Sequence, residues 1–241
     1  VAIGPIVTAA HGFAELTEAI SDRGARLRSL IDSHSDRAVR IVAVTKGHPV
    51  EAALAAVAAG FTDLGENYAQ ELLAKAEAFE SPEGLEPPAE MPTWHFIGRL
   101  QSNKVRPLVP VVGVWQTVDR ASLVEALARR SPGATVLVQV DLAGIPGRGG
   151  CPRDEAEALV QRASEVGLDV VGLMGVGTPG PPEDSREGFR WLRAEADRLA
   201  LREVSMGMSG DLEVALGEGA TIVRVGSALL GERPSSRAGL G

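Results

Sequence analysis

Short apolar runs along the chain alternate with longer stretches whose apolar positions recur every three or four residues. These are the periods of buried strands and amphipathic helices. Phe13, Leu16, Ile20, Leu27, Leu30 and Ile31 form one such face, predicting a helix over Phe13–Ile31. Arg40–Thr45 is the first strand, and Val50, Ala53, Leu54, Val57 and Ala58 mark a helix that Gly60 stops. A short strand over Phe61–Leu64 runs into Gly65-Glu66-Asn67-Tyr68 and a helix through Phe79. Ser81–Pro92 holds four prolines and several acids, and reads as a surface loop.

The alternation continues to the far end. Strands are predicted over Trp94–Gly98, Val111–Val118, Ala134–Val140, Leu168–Val176, Arg202–Met206 and Thr221–Val225. Helices fall between them at Ser102–Leu108, Ala121–Arg129, Asp154–Val166, Asp184–Leu201 and Asp211–Gly217. Most strand runs are continuously apolar, as strands buried on both faces require, so the sheet is parallel. Eight strands in strict alternation with helices predict an α/β fold, a single (β/α)8 TIM barrel with an extra N-terminal helix. An open doubly wound sheet is the rival, but its glycine-rich first turn has no counterpart in Lys46-Gly47-His48-Pro49. One domain covers residues 1–241, with a frayed tail over 232–241.

Composition narrows the classes of partner. The formal net charge of −8 argues against a polyanion-binding surface, so no nucleic-acid partner is expected. Cys151 is the only cysteine, which excludes an internal disulfide and a cysteine metal cluster, and the four histidines lack metal spacing. Val1–Ala10 is mostly apolar, but no basic segment precedes it and it is too short to span a bilayer. The reading is a cytoplasmic protein without a membrane partner.

In a barrel the carboxyl ends of the strands converge on one mouth, where chemistry is built. Lys46 follows the first strand; it is either solvent-facing or a nucleophile able to form an imine with an aldehyde. Asn67 follows the second strand, where helix capping is the simpler explanation. His95 lies in the third strand and Met174 in the sixth; a lone histidine there fits a hydrogen-bonded core residue as well as a site. Ser209, in Ser205-Met206-Gly207-Met208-Ser209-Gly210-Asp211, caps a helix or offers its hydroxyl to an anion. Gly226 and Ser227 form a second turn beside it, and adjacent late-strand turns are where barrels commonly hold phosphate. Arg224 sits among apolar neighbours, and period-two alternation does not decide whether it points inward. Gly147-Arg148-Gly149-Gly150 is a positive loop after the fifth strand, open to reading as a lid, an anion contact or plain surface. Cys151 has no evident activating base.

Nearly the whole chain resembles the pyridoxal phosphate homeostasis family, the YggS and PROSC proteins. The matching segments are Ala43–Lys46, Leu64–Glu71, Trp94–Lys104, Gly172–Met174, Leu201–Asp211 and Ile222–Gly231, in that order. The resemblance implies a barrel like the alanine racemase N-terminal domain (fold type III of pyridoxal phosphate proteins). It further implies pyridoxal 5'-phosphate (PLP) held as a Schiff base on Lys46. Ser209, Gly226 and Ser227 would hold the phosphate, Arg224 would face the pyridine nitrogen, and Asn67, His95 and Met174 would line the ring's surroundings. No catalytic or metal-binding residues are implied. The expected function is non-catalytic: binding PLP in vitamin B6 and amino-acid homeostasis, with PLP-dependent apoenzymes as candidate partners and, by the same family analogy, a monomeric protein. A PLP-dependent amino-acid racemase and a cofactor-free Schiff-base aldolase are the alternatives. Gly47 and Gly210 depart from the larger and the polar residues usual at those positions.

Overall fold

The structure, a computed structural model, describes residues 5–145 and 147–233. Eight parallel strands close a barrel in sequence order: β1 (Arg40–Val44), β2 (Asp63–Glu66), β3 (Thr93–Phe96), β4 (Val112–Val118), β5 (Thr135–Val140), β6 (Asp169–Gly175), β7 (Glu203–Ser205) and β8 (Ile222–Val225). The seam closes where Arg40–Ala43 of β1 pairs with Ile222–Val225 of β8. The predicted parallel eight-stranded barrel is the observed one. The tail prediction falls largely on 234–241, outside the described residues.

Helix α1 (Pro5–His34) precedes the barrel. The others are α2 (Val50–Ala58), α3 (Ala69–Glu80), α4 (Val105–Leu108), α5 (Ala121–Arg130), α6 (Ala156–Glu165), α7 (Arg186–Arg198), α8 (Leu212–Gly217) and α9 (Ser227–Leu230). The added helix lies alongside the barrel, against α2, α8 and α9. Its face of Ile20, Leu27 and Ile31 is buried, each side chain contributing about 1.5–3 kcal/mol.

Period-two alternation divides strands such as β5 and β8 between two cores. Val136, Val138 and Val140 of β5 face the helices, as do Trp94 and Phe96 of β3 and Val223 and Val225 of β8. A smaller cluster fills the barrel itself, built from Val42, Val114, Leu137, Val171, Met174 and Ile222. Arg224 shares the parity of Ile222 and points inward, which settles the orientation that sequence alternation leaves open.

Several boundaries shift from the sequence reading, and two of the shifts have a clear physical reason. The second strand starts at Asp63 and takes in Gly65 and Glu66, two residues later than Phe61–Leu64. Phe61 supplies apolarity without strand pairing: it is buried under the Arg28 guanidinium, 4.5 Å from its ring centroid. The seventh helix ends at Arg198, since Ala200 adopts a left-handed conformation (φ 54°) that stops it short of Leu201. Ser81–Pro92 carries no helix or strand, as its prolines predict.

Candidate functional site

The carboxyl ends of the strands surround a cavity of about 560 Å³, within the usual range of small-ligand sites. Lys46, Asn67, Met174, Ser209, Arg224, Gly226 and Ser227 all line it. Arg99, Gln139, Arg148 and Arg233 complete its polar wall, with Val44, Ile97, Val176 and Met208 among the apolar lining. Among the described residues the lining contains five cationic side chains and no carboxylate. In a chain of net charge −8 that concentration is a local reversal of sign. Arg99 also belongs to an adjoining cavity of about 940 Å³ over the ends of β4 and β5.

Lys46 stands on a braced segment. The carbonyl of Thr45 accepts a 2.7 Å hydrogen bond from Lys75 of α3, and the Thr45 hydroxyl donates to Glu66 Oε1 at 2.6 Å. Lys75 also donates to Glu66 Oε1 at 2.6 Å and Glu71 Oε1 at 2.8 Å. Glu71 Oε1 in turn accepts from the backbone N–H of Gly47, at 2.6 Å. The residues on both sides of Lys46 are therefore held by one ion cluster, in which Glu66 Oε2 has no partner among the described residues. Burial, outweighing its hydrogen bonds from Lys75 and Thr45, pushes the Glu66 carboxyl upward. Burial also lowers the Lys46 ammonium, helped by the charges of Arg233 and Arg224 and opposed by Glu66 and Glu71. A lowered lysine supplies more of the neutral amine that attacks a carbonyl.

The second strand's end and the third's touch closely here. A Cβ on Gly98 would overlap the carbonyl oxygen of Asn67, so this crossing admits only glycine. Asn67 is not a helix cap: Tyr68 occupies that position before α3. Asn67 Oδ1 is buried without a partner among the described residues, a polar atom left over at the cavity wall.

Arg224 is buried at the cavity floor. Its Nη1 donates to Ser205 Oγ at 2.7 Å and its Nη2 to the Gly175 carbonyl at 2.8 Å. Removal from water pushes the guanidinium down to about 10, so it stays charged at neutral pH. Opposite it, Ser209 Oγ accepts a long 3.4 Å bond from the Ala228 N–H, linking the turns after β7 and β8. Ser209 does not cap α8, because Asp211 holds that position and accepts from the Met208 N–H at 2.6 Å.

His95 is not among the residues lining the cavity. Its ring is fully buried in the barrel, with Nε2 2.9 Å from Asp63 Oδ1 and Nδ1 2.8 Å from Gln116 Nε2. Arg148 of the glycine-rich loop reaches the mouth and donates to the Gly177 carbonyl at 2.8 Å. Cys151 extends the edge of β5 beside Val140, its N–H bonded to the Gln139 carbonyl at 2.9 Å. Burial raises its thiol to about 12. Sequence reasoning missed Glu66, Lys75, Gln116 and Ser205, all buried polar residues inside otherwise apolar elements. The signal available was that such residues need partners. No group of three or more His, Cys, Asp or Glu comes together as a metal site among the described residues.

The family model for the alanine racemase N-terminal domain matches residues 17–234. The chain belongs to that family. Among curated members, the pyridoxal phosphate homeostasis protein of Pseudomonas aeruginosa is 35% identical over 90% of this chain and 96% of its own. That of Aquifex aeolicus is 37% identical over 82% and 89%. Of solved structures, PipY of Synechococcus elongatus with PLP bound is 35% identical, with a TM-score of 0.73 over 88% of this chain and 99% of PipY. The family barrel thus accounts for the fold, and the cavity described above lies at the mouth of that barrel.

Proposed function

We propose that this protein binds pyridoxal 5'-phosphate and acts in its homeostasis, as a binding protein rather than an enzyme that turns over a substrate. The observation that carries the reading is the cavity that joins one lysine of lowered pKa to four arginines without a carboxylate. A phosphorylated aldehyde meets both requirements of such a lining, charge and a carbonyl for the amine. When bound, PLP supplies an electrophilic aldehyde and a ring able to delocalise electrons.

Lys46 would hold the aldehyde carbon covalently. Ser209, Gly226 and Ser227, on linked turns, would hold the phosphate, with backbone N–H groups at the start of α9 turned toward negative charge. Arg224 would present a cationic N–H to the ring nitrogen, keeping a proton off that atom and weakening the ring as an electron sink. The unpartnered Asn67 Oδ1 and the apolar Met174 side chain would meet the ring's edge and face. His95 would act from beneath, through its neighbours.

Racemisation requires an acid–base group on each face of the substrate carbon. Lys46 offers one; the chain's single tyrosine, Tyr68, is 64% exposed and is not part of the cavity lining. No helix among the described residues is long and apolar enough to cross a membrane. A cytoplasmic monomer that passes its cofactor to apoenzymes completes the proposal.

The test is reductive trapping. The protein is incubated with PLP, reduced with borohydride and mapped by peptide mass spectrometry. A single modified residue at Lys46 supports the reading; label on Lys75 or Lys104, the chain's two other lysines, or no label, overturns it.

A further inference from the structure

Five buried or half-buried side chains join into one hydrogen-bonded line through the barrel. Arg224 Nη1 donates to Ser205 Oγ (2.7 Å), and the Ser205 hydroxyl donates to Gln116 Oε1 (2.7 Å). Gln116 Nε2 meets His95 Nδ1 (2.8 Å), and His95 Nε2 meets Asp63 Oδ1 (2.9 Å). The Ser205–Gln116 step joins β7 to β4, which are not neighbours in the sheet, so it crosses the lumen. Arg224, Ser205, Gln116 and His95 are all buried.

Donor and acceptor roles run one way only. A guanidinium can only donate, so Ser205 accepts from it and spends its proton on the Gln116 oxygen. The amide nitrogen then faces His95 and, having no lone pair to offer, must donate. His95 Nδ1 is left without a proton and Nε2 carries one, aimed at the Asp63 carboxylate. Burial alone would raise Asp63, yet the His95 bond and the Arg40 charge hold its carboxyl below the usual range. A buried cation at the mouth is thereby connected to a carboxylate near the opposite end of the barrel, through dipoles that all point the same way.

We propose that Ser205, Gln116 and His95 are positioning residues: their one-directional relay to Asp63 fixes the Arg224 guanidinium so that it can address the ring nitrogen of a bound pyridine. The part concerning the ring rests on the PLP reading above; the relay itself does not. Because a guanidinium rotates about several bonds, Nη1 and Nη2 must be engaged from behind for the remaining N–H groups to face the cavity in one orientation. A barrel interior filled by Val or Leu at positions 116 and 205 would leave that orientation loose and the charge unsupported.

Two measurements test this. In the cofactor-free protein, nitrogen-15 shifts of histidine should show His95 protonated at Nε2 and not at Nδ1. A proton on Nδ1, alone or together with Nε2, overturns the relay, and this result needs no variant. The second compares binding of PLP with its 1-deaza analogue, in which a C–H replaces the ring nitrogen. The unsubstituted protein should favour PLP by about tenfold, the size of one good hydrogen bond. Ser205→Ala and Gln116→Leu should bring the two ligands close to equal while phosphate-driven binding persists. Variants that bind both ligands and keep the full preference sink the relay. Should Lys46 prove unlabelled by PLP and borohydride, the cofactor reading fails, and the His95 shifts still decide the relay.

Discussion

The ammonium of Lys75 lies 2.7 Å from the carbonyl of Thr45, tying α3 to the residue immediately before Lys46. The same ammonium sits between the Glu66 and Glu71 carboxylates, 2.6 and 2.8 Å away. Removing it strands two acids against each other, one of them fully buried. Breaking one member of a buried ion pair typically costs about 3–5 kcal/mol. Lys75→Met should therefore lower unfolding free energy by that order in urea titrations. The double variant Lys75→Met with Glu66→Gln should recover part of it. Native stability in Lys75→Met would mean that the cluster does not brace the strand end.

Lys46 should react as a weakened base. Its pKa is lowered first by burial and then by Arg233 and Arg224. The rate of covalent attachment of an aldehyde should rise with pH and reach half its maximum below the ordinary lysine value of 10.5. The sign for stability runs the same way. A lysine depressed in the folded state disfavours folding below its folded pKa, and the penalty fades as pH climbs toward its unfolded value. Arg233→Ala should move the attachment midpoint upward. A midpoint at or above 10.5 in the unsubstituted protein would contradict the burial of the amine. Lys46→Ala should abolish attachment while leaving non-covalent affinity for the phosphate.

Ser209→Ala should weaken binding of PLP by about 1–2 kcal/mol, a charge-assisted hydrogen bond's worth. Its present bond to the Ala228 N–H is long, at 3.4 Å, so the fold should lose little. Titration of cofactor absorbance reads the affinity, and thermal melting reads the fold. An unchanged dissociation constant would place the phosphate elsewhere.

Gly98→Ala should damage the fold more than its single methyl suggests. The new Cβ would meet main-chain atoms of Asn67, not a yielding side chain. Overpacking of this kind costs about 1–3 kcal/mol or more, and separating the ends of β2 and β3 should also loosen the cavity wall. Denaturant titration of the variant, together with its affinity for PLP, checks both effects.

Legibility in the sequence followed physical period. Long amphipathic helices and valine-rich strands such as Thr135–Val140 announce themselves, because burial on two faces favours apolar residues at most positions. Strand-end residues such as Lys46, Ser209 and Gly226 were found for the same reason: a barrel's topology sends them to one rim. Phe61 misled the boundary of β2, since burial against a helix and burial in a sheet use the same apolar residue. Glu66, Gln116 and Ser205 were overlooked because their partners lie 9 to 89 positions away along the chain. Periodicity reports which face a residue occupies, and not which distant side chain meets it there. The position of His95 follows from partners of that kind, on β2 and β4.

A protein that is to hold an electrophile, as proposed here, must also control which of its own atoms the electrophile meets. Sulfur outcompetes nitrogen when it is ionised and accessible. Here the chain's one thiol is built into the edge of β5, 3% exposed, with its ionisation pushed up to about 12. At neutral pH a thiol raised in this way stays protonated. The barrel thus insulates its sulfur, and among the described residues the cavity lining would offer an aldehyde a single amine, that of Lys46.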